Sequence, residues 1–199
     1  MSHWFSGLAT GSVRYHLMSG LRYMVMAPSK QVRGALAWRQ GEKGTAMAYA
    51  AIDVARWFVA WADDDPESEA QLTNLKLQKL LYYAQGHWLA NHDEPLFADP
   101  IQAWAHGPVV PAVYHEFKHF GSGAIDAEQV LGDEFDWGDF ADVDAHLVSV
   151  WNTYGQYAAW ALRQRTHRES PWRDAFDEDA RGTVISNEAL KAHFASTRL

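Results

Sequence analysis

Leu75-Lys76-Leu77-Gln78-Lys79-Leu80-Leu81-Tyr82-Tyr83-Ala84-Gln85-Gly86 decides the fold class of this chain. Leu77, Leu81, Ala84 and Trp88 recur at helical spacing and Leu80 widens the stripe, which predicts a helix from Asn74 to about Asn91. Thr73 stands where an N-cap belongs. Lys76, Lys79 and Tyr83 share another face of that helix at i, i+3 and i+7. Such a face is ordinarily solvated; the functional alternative is a contact with a partner.

Upstream, Ile52, Ala55, Val59 and Ala62 predict a helix beginning near Met47, with Val54, Phe58 and Trp61 broadening its apolar side. Asp63-Asp64-Asp65-Pro66 ends it. Downstream, Ile101–Trp104 reads as a short extended segment stopped by Gly107-Pro108. Pro111 suits the first turn of a helix burying Val113, Phe117 and Phe120 and closed by Gly121. Residues 122–141 read as an acidic loop anchored by Phe135, Trp137 and Phe140. A helix from Asp142 to about Tyr157 turns Leu147, Trp151 and Tyr154 inward, and a shorter one spans Ala158 to Thr166. Thr183-Val184-Ile185 is expected to pair with Ile101–Trp104, and Ser186 to cap a last helix burying Leu190 and Phe194. The expectation is therefore a mainly α chain: one compact helical domain with a small two-stranded β element and a loosely ordered N-terminal extension.

Composition bounds the function. The 199 residues are 48% hydrophobic and 21% charged, ordinary for a globular protein, but ten are Trp, a residue that serves cores and protein interfaces alike. The absence of Cys excludes disulfides, thiolate metal sites and Cys nucleophiles, and fits a reducing cytosol. No run reaches the ~20 apolar residues of a membrane span, and Arg14, His16, Gly20 and Arg22 break up any signal-like segment. The expected location is cytoplasmic, with no membrane partner. Residues 1–46 carry six Lys/Arg against Glu42, while residues 47–199 carry eleven against twenty-four acids, a net of −13. That change of sign marks a boundary at Met47, with residues 47–199 as the domain. An acidic body disfavours nucleic acid and favours protein partners. The basic extension has two readings, an arm contacting DNA or membrane and a poorly ordered leader from an upstream start. Its Lys and Arg are too dispersed to make a patch, which favours the second.

One motif has catalytic form. His115-Glu116-Phe117-Lys118-His119 is a literal H-E-x-x-H, in which two His one helical turn apart bind Zn and the Glu activates a metal-bound water. The longer zincin pattern would require Gly at 122 and His at 125, where Ser122 and Ile125 stand. Glu128 or Glu134 could supply a third ligand only from an irregular loop. Surface histidines are the favoured reading, with a metal-dependent hydrolase as the alternative. His87, His92, His106, His146 and His167 show no ligand spacing, and there is no nucleophile elbow, P-loop or dinucleotide fingerprint. No catalytic residue, metal ligand or cofactor is assigned, and the chain is read as a non-enzyme.

The stretch Leu75–Gly86, followed by Pro95-Leu96-Phe97 and by Ala103-Trp104-Ala105-His106-Gly107-Pro108-Val109-Val110-Pro111-Ala112-Val113-Tyr114, resembles the Panacea domain, the SocA-like antitoxin family also labelled phage-associated GepA-like. Asp53-Val54-Ala55, Ser170-Pro171-Trp172, Tyr114, Phe117 and Gly121 extend the resemblance over the body from Met47 to Phe194. It implies a bacterial antitoxin that neutralises a cognate protein toxin by direct contact. In the SocA-like branch it also implies a proteolytic adaptor that presents the toxin to a Clp-type AAA+ protease; simple occlusion of the toxin is the alternative. Lys76, Lys79, Tyr83 and His106 are the candidate partner contacts.

Overall fold

Helix α2 (Asn74–His92) is the axis on which the other elements pack. The computed structural model describes residues 48–64, 71–132, 135–180, 182–197 and 199. The expected order of residues 1–46, and Glu134, lie outside them. Thr73 caps α2 as expected, its side chain accepting from the Lys76 N–H. Only Lys76 and Lys79 carry a formal charge between Asn74 and His92, so no face of this helix requires water. Leu77, Leu80, Leu81, Tyr82, Tyr83 and Ala84 are accordingly all buried.

Helix α1 (Ala51–Asp64) lies against α2. Its buried side runs through Ala51, Val54, Ala55, Trp57, Phe58, Val59 and Ala60, while Ile52 and Ala62 of the expected stripe are only half-buried. The shift has a cause: Trp57 turns to a second neighbour, where its Nε1–H donates to Asp144 Oδ1 at 3.0 Å. Asp99 Oδ2 accepts from the Ala51 N–H at 2.9 Å at the helix start.

Strand β1 (Ile101–Trp104) pairs antiparallel with β3 (Thr183–Ile185) as expected, with Ile101 opposite Ile185. A further strand, β2 (Gly107–Val109), adds to its other side, making a three-stranded sheet of order β2-β1-β3. The expectation that Gly107-Pro108 stops the extended segment is thus corrected. Pro108 is tolerated because β2 is an edge, where its missing N–H leaves no ladder bond unmade.

Helix α3 (Pro111–Phe117) buries Val113 and Phe117 and tightens into a 3-10 turn over Lys118–Phe120. The expected acidic loop contains a short helix α4 (Ala127–Val130) and a 3-10 turn (Trp137–Phe140). Its acids make these possible: Asp126 and Asp136 each accept a backbone N–H at the element start. Phe140 is buried, and Phe135 and Trp137 pack edge to face at 5.0 Å. The helix expected up to Tyr157 is α5 (Asp144–Val150) followed by a π-helical turn (Trp151–Gly155). Leu147, Trp151 and Tyr154 point inward as expected. Helices α6 (Ala159–Thr166), α7 (Ser170–Ala175) and α8 (Asn187–Phe194) complete the body. Ser186 caps α8, accepting from the Ala189 N–H at 3.1 Å. Leu190 and Phe194 bury α8 against α2, so closely that a Cβ on Gly86 would lie 2.2 Å from the Phe194 ring.

Candidate functional site

The polar side chains of the α2 motif hold backbone. Gln85 takes both polar groups of Phe97, donating to its carbonyl and accepting its N–H at 3.1 Å each. Gln78 accepts the Val110 N–H at 2.9 Å and donates to Asn74 Oδ1 at 3.0 Å, while Asn74 donates to the Tyr114 carbonyl at 3.1 Å. One helix thereby fixes the Pro95–Phe97 loop and the Gly107–Tyr114 segment through buried hydrogen bonds, which cost most when broken.

The β1–β2 hairpin is held from beneath. Lys79 Nζ donates to the Pro108 carbonyl at 2.9 Å, Trp172 Nε1–H to the Trp104 carbonyl at 2.9 Å, and Arg163 Nη2 to the Ala105 carbonyl at 3.4 Å. Gly107 makes room for this: at φ +100° a Cβ there would meet Lys79 Cε at 2.7 Å and Thr166 Oγ1 at 3.0 Å. Burial first, and the Arg163 charge second, push the Lys79 amine down to about 7. His167, stacked on Trp172 at 3.8 Å, is pushed down to about 4 by burial and then by Arg163, Lys79 and His106.

On the other side of α6 lies an aromatic cluster around a carboxylate. Tyr83 stacks on Tyr154 at 3.8 Å, and its hydroxyl donates to Glu169 Oε1 at 3.1 Å. Arg165 approaches the same oxygen at 3.6 Å and lies over the Tyr154 ring. Burial raises the Glu169 carboxyl and both the Tyr82 and Tyr83 phenols above their ordinary values. Glu169 and the Tyr82 hydroxyl act on each other here, while the buried Arg163 Nε and His167 Nε2 find no hydrogen-bond partner among the described residues.

The expected solvated face is corrected. Lys76, Lys79 and Tyr83 are fully buried, so they stand behind any surface a rigid partner would meet, and only His106, at the hairpin turn, is exposed. Lys76 places its ammonium 5.3 Å from the centre of the Trp151 ring. Arg163 and Glu169, which the sequence did not single out, act on Lys79 and Tyr83, and Trp160 lies against the Arg163 guanidinium. A signal for them existed: four Arg against the single acid Glu169 between Ala159 and Arg173, inside an otherwise acidic body.

His115, Glu116 and His119 are all exposed. The α-helix ends at Phe117, so His119 sits in the 3-10 turn and loses the one-turn alignment with His115 that zinc ligation needs. Its Nδ1 instead lies 2.9 Å from the Glu116 carbonyl. Among the described residues no three His, Asp or Glu side chains are grouped to hold a metal ion.

This arrangement falls inside residues 77–173, which match the family described as Antitoxin SocA-like, Panacea domain. Residues 77–173 are thus similar to a Panacea domain, in line with the resemblance carried by the motif from Leu75 to Tyr114. The chain is also similar to Antitoxin SocA of Caulobacter vibrioides (strain NA1000 / CB15N), 34% identical over 109 residues. Those residues are 51% of this chain, and the chain spans 58% of that protein's length. No solved structure matches the chain. Among the described residues, no helix is long and apolar enough to cross a membrane.

Proposed function

We propose that this chain is an antitoxin that binds and neutralises a cognate protein toxin in the bacterial cytoplasm, as a proteolytic adaptor presenting it to a Clp-type AAA+ protease. The observation that carries the reading is the match of residues 77–173 to the SocA-like family, with an antitoxin as the 34% identical relative. The geometry supports it from a second direction. The motif's polar residues are consumed in fixing a hairpin and two loops, which makes a rigid platform for recognition. In this reading residues 47–199 are the antitoxin domain and residues 1–46 a basic extension. His106 is a direct contact, while Lys76, Lys79 and Tyr83 act through the backbone and rings they hold. The tagged full chain is expected to co-purify, in stoichiometric amount, with the product of the adjacent gene. Purification of the chain alone from cells making both would contradict direct binding.

A further inference from the structure

The stretch from Ala159 to Arg173 is the basic island of an acidic body. It holds Arg163, Arg165, Arg168 and Arg173 against the single acid Glu169, with Arg173 paired to Asp174 at 2.9 Å, inside a net of −13 over residues 47–199. Glu169 is already engaged, taking the Tyr83 hydroxyl and Arg165. Toward the hairpin, burial and then the Arg163 charge push Lys79 and His167 toward their neutral forms, so Arg163 is the standing charge there. No carboxylate among the described residues pairs with Arg163 or Lys79; each gives its hydrogen bond to a carbonyl instead. Arg163 Nε and His167 Nε2 have no partner among those residues.

The same face exposes a large aromatic. Trp160 is 56% exposed, and the Arg163 guanidinium lies over its ring at 4.4 Å. Trp, Tyr and Arg are the residue types that dominate binding energy in protein interfaces. A basic centre bordered by aromatic surface calls for an apolar segment that carries negative charge.

We infer that the face formed by the β1–β2 turn and α6, centred on His106, Trp160 and Arg163, docks an acidic segment of the partner protein. The inference rests on the antitoxin reading and adds the surface and the chemistry of the segment it takes. A carboxylate of that segment meets the half-exposed Arg163 side chain, and the exposed Trp160 ring takes the segment's apolar side. The rigid hairpin beneath keeps Arg163 and His106 in register, so the docking surface is formed before the partner arrives.

The test measures affinity of the full chain for the adjacent gene's product at 50 and 200 mM salt, alongside Trp160→Ala, Arg163→Glu and a distant control, Arg56→Glu. Trp160→Ala removes an exposed ring, so it reports on binding even where Arg163→Glu perturbs the fold. Expected are at least a tenfold loss in Trp160→Ala and Arg163→Glu, less than a twofold change in Arg56→Glu, and weaker wild-type binding at the higher salt. Wild-type affinity in both α6 variants, with toxin still neutralised, overturns this docking face and leaves the antitoxin reading standing. No complex with the wild-type chain overturns both.

Discussion

Lys79 is the residue on which the hairpin turns. Its amine sits beneath Pro108 with no carboxylate partner among the described residues, and burial with the nearby Arg163 brings it down to about 7. An unfolded Lys holds its proton to about 10.4. Between pH 7 and 10 the unfolded chain therefore binds the extra proton, and stability rises with pH across that window. The urea midpoint is expected to climb from pH 7 to pH 9 in the wild type, with the climb much reduced in Lys79→Met; equal slopes would contradict an uncompensated amine. Gly107 is as constrained. Gly107→Ala places a methyl 2.7 Å from Lys79 Cε at φ +100°, and a loss of about 2 kcal/mol is expected in urea unfolding. Much of this was hidden in the sequence. A Lys on a helix reads as solvated, because burial of a charge follows from what packs on the other side. The signal present was collective: two formal charges along the whole of α2 leave it no polar face. Arg163 and His167 likewise gain their meaning only beside a hairpin some sixty residues earlier.

At the scale of elements, α2 is joined to the rest by side chains that mimic backbone. Gln85 supplies Phe97 with the donor and acceptor that a neighbouring strand would give. Gln85→Ala orphans both groups, and since an unmet buried partner costs about 1–3 kcal/mol, the expected loss is about 3 kcal/mol by urea unfolding. Gly86→Val drives a side chain into Phe194, so α8 is expected to lose hydrogen-exchange protection before the core of α2 does; uniform protection would show that the two helices tolerate separation. Elements with local grammar were legible. Thr73 and Ser186 cap the helices they were expected to cap, and β1 meets β3 in the expected pairing. Elements made by tertiary context were not. Strand β2 contains a Pro, and the turns from Ala127 to Phe140 are too short to show a period. The π-turn placing Tyr154 on Tyr83 has no pattern in sequence that separates it from ordinary helix.

For the whole molecule, uneven charge and buried imidazoles set the behaviour. His87 packs against Phe194 with Nε2 2.8 Å from the Tyr154 hydroxyl, and burial, then His146, Arg165 and His193, push it down to about 4. His167 is held as low. Unfolded His takes up its proton near pH 6.5, so both groups let the unfolded chain bind more protons between pH 6.5 and 4. Stability is expected to fall as pH drops through that range, and His87→Gln to make the fall shallower in thermal melts. A wild-type melting point constant from pH 6.5 to 4 would contradict neutral buried imidazoles.

The antitoxin reading itself is tested most directly in cells. The product of the adjacent gene is expressed with and without this chain, and growth and the half-life of that product are followed. The account predicts arrested growth without the chain, and with it, rescued growth together with a shortened half-life that depends on a Clp protease. Rescue at an unchanged half-life would contradict the adaptor role and leave occlusion, and no toxicity for the chain to relieve would contradict the antitoxin function for that pair.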